Sequence, residues 1–115
     1  MTFTVTYAQR GEAGAGLRLV GELDLGTAGE LNTAIDRLVA EGRRELLLDL
    51  TELTFCDSTG IAAFVRGDNL VAVDGGWLRL TGATGRVARV LQVTGLAEVL
   101  AHRRDAVDPT ASASS

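Results

Sequence analysis

The tetrapeptide Asp57-Ser58-Thr59-Gly60 holds the residues of this sequence that are best placed to do chemistry. It follows an apolar segment that ends at Cys56 and precedes a second apolar run, so the pattern predicts a junction between a strand and a helix. Asp57 or Ser58 can cap that helix by accepting a backbone N–H bond. The hydroxyl groups are also well placed for phosphorylation, because the positive end of a helix dipole stabilises added negative charge. The sequence is thus compatible with two roles for the tetrapeptide, a structural helix cap and a phosphorylation site.

The sequence shows no clear base for a serine or cysteine nucleophile. His102 is the sole histidine and lies beside Arg103 and Arg104, far in sequence from Cys56 and Ser58. A serine or cysteine nucleophile needs a base within hydrogen-bond reach, which here would depend wholly on the fold. The serine also lacks a Gly-x-Ser-x-Gly elbow. An aspartic protease would need a second carboxylate that shares a proton with the first. The pattern therefore predicts a protein that is not an enzyme.

Cofactor and metal sites are not predicted either. Residues 82–86 lack the lysine, with a serine or threonine directly after it, with which a phosphate-binding loop holds a nucleotide and magnesium. Cys56 is the only cysteine, so no internal disulfide can form and no thiolate cluster can bind a metal. Because a single thiol fits a reducing compartment, we expect a cytoplasmic protein.

The composition is that of one globular domain. The chain has 115 residues, of which 46% are hydrophobic and 23% are charged. A chain of this length can bury a core without a metal or a disulfide. No apolar run approaches the roughly 20 residues that cross a bilayer, so no membrane association is predicted. The net charge of −4 and the lack of a large basic cluster argue against nucleic acid as a partner.

The first half of the chain predicts two strands, a helix and a third strand. Apolar residues at period two mark the two strands, which a glycine-rich stretch would join into an antiparallel hairpin. Thr27 is placed to cap the helix, and the nearly continuous apolar segment 46–50 predicts an interior strand. The residues that carry the strand and helix patterns are Phe3, Val5 and Tyr7, then Leu17, Leu19 and Gly21, then Leu31, Ala34, Ile35, Leu38 and Val39.

The second half predicts a helix after the tetrapeptide, a strand at 77–80, a helix from about Gly85 and a short helix near 97–101. Gly67 and Asp68 indicate that the first of these helices is imperfect. Its inward candidates are Ile61, Phe64, Val65, Val71 and Ala72.

Strands that alternate with helices favour parallel neighbours joined by right-handed crossovers. We therefore predict an α/β fold in one domain, residues 1–104. Its mixed four-stranded sheet would contain the antiparallel N-terminal hairpin and otherwise parallel strands, packed with about four helices. Residues 105–115 lack apolar bulk and are predicted to form a disordered tail.

Several separated segments resemble the anti-sigma factor antagonists of the STAS domain family, from the first strand to about Leu100. Residues 21–24, followed closely by Thr27, resemble the family's entry into its first helix. Residues 48–60 resemble its signature strand and phosphorylation loop, and Gly75-Gly76 with residues 87–91 and 94–96 match its later half. The ordered set of segments carries this resemblance, and no single motif would.

The resemblance implies a partner-switching mechanism. Without phosphate, the domain would bind an anti-sigma factor with a kinase fold and so free a sigma factor for RNA polymerase. That partner, a serine kinase, would phosphorylate Ser58, with Thr59 as the less favoured site, and a serine phosphatase would reverse the step. Asp57, Thr59 and Gly60 would shape the loop, and Asp24 would support it from the neighbouring strand end. The domain would need no cofactor and would be a monomer or a weak dimer.

The segment Arg66–Leu70 departs from the family pattern. Family members more often carry an uninterrupted helix with several basic residues there, so we expect an altered partner-facing surface. An alternative hypothesis is a STAS-like interaction scaffold or small-ligand-binding domain that phosphorylation does not control.

Overall fold

Strands and helices alternate through most of the chain in the computed structural model, which describes residues 3–96. The strands are β1 (Phe3–Arg10), β2 (Gly14–Leu23), β3 (Glu45–Cys56) and β4 (Trp77–Thr81). The helices are α1 (Ala28–Ala40), α2 (Ser58–Ala72) and α3 (Gly85–Thr94). None of the helices in this part of the chain has the length and apolar character needed to cross a membrane.

The four strands form one sheet in the order β1-β2-β3-β4. β1 and β2 pair as an antiparallel hairpin, from Phe3 opposite Gly21 to Arg10 opposite Gly14. β3 is parallel to both β2 and β4. The predicted mixed sheet with an antiparallel N-terminal edge is therefore confirmed. Residues 3–96 contain three helices where about four were predicted for the whole chain; the fourth, near 97–101, lies outside the described residues, as do His102 and the predicted tail.

The core lies between the sheet and the packed pair α1 and α2. β2 and β3 supply leucines that are almost fully buried, and both helices turn apolar residues toward them. Burying each such side chain stabilises the fold by roughly 1.5–3 kcal/mol. The largest fully buried side chains are Leu17, Leu19, Leu23, Leu31, Ile35, Leu46, Leu48, Leu50, Phe64, Val71, Leu78 and Val87.

β3 is longer than its apolar run predicts. The strand continues from the predicted 46–50 segment to Cys56, although Thr51 and Glu52 are exposed. Its pairing with β2 shifts register at this point, between Arg18 and Val20 of β2. A register shift of this kind bends a strand and re-aims its side chains, so Leu53 returns to the core. The strand therefore delivers Cys56 to the start of α2.

The prediction of an imperfect second helix is wrong, because α2 is continuous over Ser58–Ala72. Gly67 lies on its buried face, where an added Cβ would stand 2.8 Å from Leu78 Cδ1 and 3.0 Å from Ile35 Cδ1. Asp68 is 3% exposed, and its carboxylate accepts a hydrogen bond of 3.1 Å from the Leu78 N–H. Both residues thus attach α2 to its neighbours, since close packing needs the glycine and a buried N–H needs an acceptor.

Candidate functional site

Two loops meet where β2 and β3 end side by side. Leu23, the last residue of β2, is paired with Cys56, the last residue of β3. The chain leaves β2 into a tight turn, residues 24–27, and leaves β3 into residues 57–60, here called the 57–60 loop. The Asp57 N–H donates to the Leu23 carbonyl at 3.2 Å. This bond fixes the 57–60 loop against the neighbouring strand end.

Asp57 is the N-cap of α2. Its backbone is extended, with φ −109° and ψ −169°, and its carboxylate accepts hydrogen bonds from two N–H groups of the first helical turn. The Oδ1 distances are 2.9 Å to Thr59 N and 3.3 Å to Gly60 N. The Asp57 carbonyl also accepts the first helical bond, from Ile61 N at 3.1 Å. Of the two capping residues that the sequence left open, the structure assigns the cap to Asp57.

The same contacts hold the Asp57 carboxyl in its ionised form. Its pKa is lowered, chiefly because the Thr59 hydroxyl donates a hydrogen bond to the carboxylate. Partial burial opposes this shift, while backbone N–H groups of Gly60, Thr59 and Leu25 add to it. The loop therefore carries a fixed negative charge beside Ser58 at neutral pH.

Ser58 is the first residue of α2, and its side chain is exposed to solvent. Its hydroxyl makes no hydrogen bond to any other residue of 3–96. Thr59 differs on both counts, because it is partly buried and its hydroxyl is bonded to Asp57. A reagent or an enzyme that approaches the loop from solvent would meet the Ser58 oxygen first.

Gly60 allows α2 to start close against the strand ends. An added Cβ at this position would stand 2.7 Å from Cys56 Sγ and 2.8 Å from Leu23 Cδ2, inside normal contact distance. Cys56 is itself buried, and burial together with the Asp57 charge raises the pKa of its thiol to about 11. The thiol is therefore protonated at neutral pH and packs as a small apolar group.

The 24–27 turn is built around Asp24 and Thr27. The Asp24 carboxylate accepts from Gly26 N at 3.0 Å and lies 3.2 Å from the Thr27 hydroxyl. The Thr27 oxygen accepts from Asp24 N at 2.9 Å, and the hydroxyl lies 2.8 Å from the Glu22 carbonyl. Thr27 is the N-cap residue of α1 by position, but its side chain makes no cap bond to the helix. The hydroxyl instead locks the turn to the end of β2.

The turn is linked to the 57–60 loop through its backbone. The carboxylate bonds of Asp24 stay within its own turn. The N–H of Leu25, the next residue, is one of the groups that stabilise the Asp57 carboxylate. The turn thus reaches the loop at Leu25.

Leu25 is the residue of this site that the sequence did not single out. Its side chain is 81% exposed although it is a large apolar group. In the sequence it follows Leu17, Leu19 and Leu23 at even spacing, so the period-two pattern assigns it to the strand and not to a site. In the folded protein its backbone N–H reaches the Asp57 carboxylate while its side chain stays exposed to solvent.

Arg66, in the segment that departs from the family pattern, faces α1. Its guanidinium lies 2.7 Å from Asp36 Oδ1 and donates to Asn32 Oδ1 at 3.4 Å. Asp68 in the same segment is buried against β4. Together with Gly67, three residues of this segment thus contact α1 or the sheet. No group of His, Cys, Asp or Glu within residues 3–96 is arranged to hold a metal ion.

Two features define the class of this protein. It is a small α/β domain whose mixed sheet has an antiparallel edge, and a capped helix starts at the end of one of its central strands. The family model described as "Mlab, STAS domain" matches residues 6–101, and the chain belongs to the STAS domain family.

The proteins similar to this chain in sequence, and those similar in structure, include antagonists of anti-sigma factors. An anti-sigma-B factor antagonist of Staphylococcus aureus is 27% identical over 84 residues, which make up 73% of this chain and 78% of that protein. The crystal structure of an anti-sigma factor antagonist from Mycobacterium paratuberculosis has a TM-score of 0.76 at 24% identity, covering 86% of this chain and 83% of that one. The Bacillus cell fate determinant SpoIIAA in its phosphorylated form has a TM-score of 0.67 at 20% identity, covering 81% and 85%. The two structural likenesses show the fold.

Proposed function

We propose that this chain is an anti-sigma factor antagonist controlled by phosphorylation of Ser58. Without phosphate it binds an anti-sigma factor of the serine-kinase type and so frees a sigma factor; with phosphate it is released. The observation that carries the proposal is the exposed Ser58 hydroxyl at the first residue of α2, which makes no hydrogen bond to another residue of 3–96. The relatives named as anti-sigma factor antagonists support it. The domain is then a substrate of its partner and not a catalyst.

Ser58 is favoured over Thr59 because of what each hydroxyl already does. The Thr59 hydroxyl donates to the Asp57 carboxylate, so a phosphate there would replace an attraction with a repulsion between anions. Within the described part of the chain, the Ser58 hydroxyl makes no such bond. The proposal therefore places the phosphate on Ser58 and leaves Thr59 as part of the cap.

The charge of a phosphoserine is large enough to operate the switch. It adds about −1.5 to −2 charges at neutral pH, directly beside the ionised Asp57. Like charges held against each other across an interface cost several kcal/mol, and each ~1.4 kcal/mol is tenfold in affinity. The free N–H groups at the start of α2 favour the added anion, so the domain keeps its fold while the partner is repelled.

The proposed docking surface comprises the 57–60 loop and Leu25. Asp57 and Gly60 hold the loop in place, and Asp24 shapes the turn that presents Leu25. An apolar side chain next to polar loop groups is suited to a protein surface that is itself apolar at its centre and polar at its rim. A serine phosphatase would reset the switch in the cytoplasm.

Phosphate transfer from a kinase-type anti-sigma factor and ATP tests the site. We expect the intact mass to rise by one phosphate in the wild type and in Thr84→Ala, and to stay constant in Ser58→Ala. Thr84 is a matched control because it is an exposed hydroxyl residue at the N-cap of α3. A phosphate that still appears on Ser58→Ala would refute the assignment.

Binding of the same partner separates the proposal from its alternative. We expect Ser58→Asp to weaken binding and Ser58→Ala to preserve it. Equal binding by both variants would instead favour an interaction scaffold or small-ligand domain that phosphorylation does not control.

A further inference from the structure

The two edges of the sheet differ in how they are protected. β1 forms the outer edge with eight residues, and its only charged residue, Arg10, is the last. No strand among residues 3–96 pairs with its outer side. β4, at the opposite edge, is five residues long and carries Arg79 near its centre, stacked 4.2 Å above the Trp77 ring. A short strand, or a charged residue at its centre, discourages an edge strand from pairing with another chain. β4 is therefore protected against such pairing, and β1 is an unguarded edge.

A groove runs along the unguarded edge, between β1 and α1. One part has a volume of about 430 Å³ and is lined by Phe3, Val5, Glu30 and Arg37 among others. A second part of about 170 Å³ continues past Val5 to Tyr7 and Leu38. Val5, Ala34 and Arg37 line both parts and so mark the stretch that the two parts share.

We propose that a second copy of this chain occupies this edge, pairing β1 with β1 antiparallel about a twofold axis at Val5. Such an interface is isologous, so the surface must be complementary to itself. The side chains of β1 meet this condition in one register. Phe3 would face Tyr7 of the second copy, Thr4 would face Thr6, and Val5 would face its own equivalent. Pairs of aromatic residues, of threonines and of β-branched residues each stabilise antiparallel strands by roughly 0.2–1 kcal/mol.

The charges on α1 are complementary about the same axis. Glu30 and Arg37 are exposed, lie two helical turns apart and line the same groove as Val5. A twofold axis near Ala34, midway between them, reverses α1 and brings Glu30 toward Arg37 of the second copy. Each interface would contain this ion pair twice. A parallel arrangement, or an axis displaced by a turn, would bring like charges together.

The pairing leaves the Ser58 sites free. A twofold axis reverses the direction of β3, so the two 57–60 loops would point from opposite ends of a joined sheet. The proposal stands on β1 and α1 alone and is independent of the proposed function.

Charge reversal tests the proposal through the oligomeric state, measured by sedimentation equilibrium. We expect the wild type to dimerise, and Glu30→Arg or Arg37→Glu to raise the dimer Kd about tenfold or more by placing like charges together. The combined variant Glu30→Arg/Arg37→Glu should restore the dimer, because the pairs are re-formed with opposite sense. A wild type that stays monomeric at the highest usable concentration, or a dimer that both single variants leave unchanged, would overturn the proposal.

Cysteine cross-linking tests the register. Under mild oxidation we expect Val5→Cys to form a covalent dimer, since the two residues would be directly opposite. Tyr7→Cys is the control, because its two copies would stand roughly 14 Å apart along the strands. The native Cys56 is buried and should not react. Linking of Tyr7→Cys without linking of Val5→Cys would refute this register.

Discussion

The Thr59 hydroxyl donates a hydrogen bond of 2.5 Å to the Asp57 carboxylate across the first turn of α2. This contact assigns separate tasks to three consecutive residues. Asp57 accepts, Thr59 donates, and Ser58 between them keeps its hydroxyl toward solvent. From the sequence alone, the helix cap and the phosphorylation site are alternative roles for the tetrapeptide. In the structure, Asp57 with Thr59 forms the cap and Ser58 presents the exposed hydroxyl. Variants at each position can test the two roles separately.

Removing the cap should destabilise the fold without removing Ser58. We expect Asp57→Ala to lower the free energy of unfolding by ~1 kcal/mol, because two helical N–H groups lose their acceptor. Urea denaturation followed by circular dichroism measures the change. Thr84→Ala is the matched control, since Thr84 occupies the N-cap of α3 but makes no side-chain cap bond. Equal losses in the two variants would contradict the assigned cap.

Stability should depend on the ionisation of Asp57 in acid. Its folded-state pKa lies below the ordinary value of 3.8, first because of the Thr59 hydroxyl. Between the folded-state pKa and 3.8, the unfolded chain binds the proton more readily than the folded protein does. The stabilisation that ionised Asp57 gives to the fold is therefore complete above pH 3.8 and is lost as pH falls through the folded-state pKa. We expect the stability difference between wild type and Asp57→Asn to be constant near neutral pH and to move against the wild type below 3.8.

Denaturation curves of both proteins at a series of pH values measure that difference. The pKa of Asp49 is also lowered, mainly by the Thr51 hydroxyl, but both proteins retain Asp49 and its contribution cancels. A difference that stays constant through the acid range would show that the Asp57 pKa is not lowered.

Adding one methyl group at Gly60 should be costly. We expect Gly60→Ala to lower the free energy of unfolding by about 1–3 kcal/mol, since its Cβ would press on Cys56 Sγ and Leu23 Cδ2. Gly29→Ala in α1 is the control, because nothing lies within 4 Å of its added Cβ. That change should be neutral or stabilise the helix by up to about 1 kcal/mol. Thermal denaturation of both variants decides whether close packing or helix propensity dominates at Gly60.

Leu25 should matter for binding and not for folding. We expect Leu25→Ser to weaken binding to the anti-sigma factor about tenfold, as the loss of ~1.4 kcal/mol of apolar contact would produce. Stability should be unchanged, because the side chain is 81% exposed. Val93→Ser is the matched control, with a side chain 80% exposed on α3. Calorimetric titration of the three proteins makes the comparison, and similar affinities for all of them would remove Leu25 from the proposed docking surface.

The regular elements could be predicted from the sequence because their signals are local. Alternation at period two marks β1 and β2, and helical spacing of Leu31, Ile35 and Leu38 marks α1. Burial of those faces leaves few ways to arrange four strands, which is why the mixed sheet was predictable. The tetrapeptide at the end of β3 was also recognisable, since cap-forming residues between two apolar runs are typical of a junction between a strand and a helix.

Other features depended on contacts between residues distant in sequence. Gly67 and Asp68 suggest a broken helix when read along the chain, yet each meets Leu78 of β4, and that contact makes them fit a continuous α2. Thr27 has the residue type of a cap, but its hydroxyl is held by the end of β2. Local propensity is weak compared with burial and hydrogen bonding in the folded protein, so tertiary contacts decide such cases.

The sequence alone determined the fold class, the mixed pairing of the strands and the loop in which the candidate hydroxyls lie, because hydrophobic periodicity and turn chemistry are properties of neighbouring residues. Only the tertiary structure decided which of Asp57, Ser58 and Thr59 caps the helix and which faces solvent, and that Leu25 stands beside them. The reason is physical: a hydroxyl's accessibility and a carboxylate's hydrogen bonds depend on the groups that another strand brings close, and the sequence does not contain those distances.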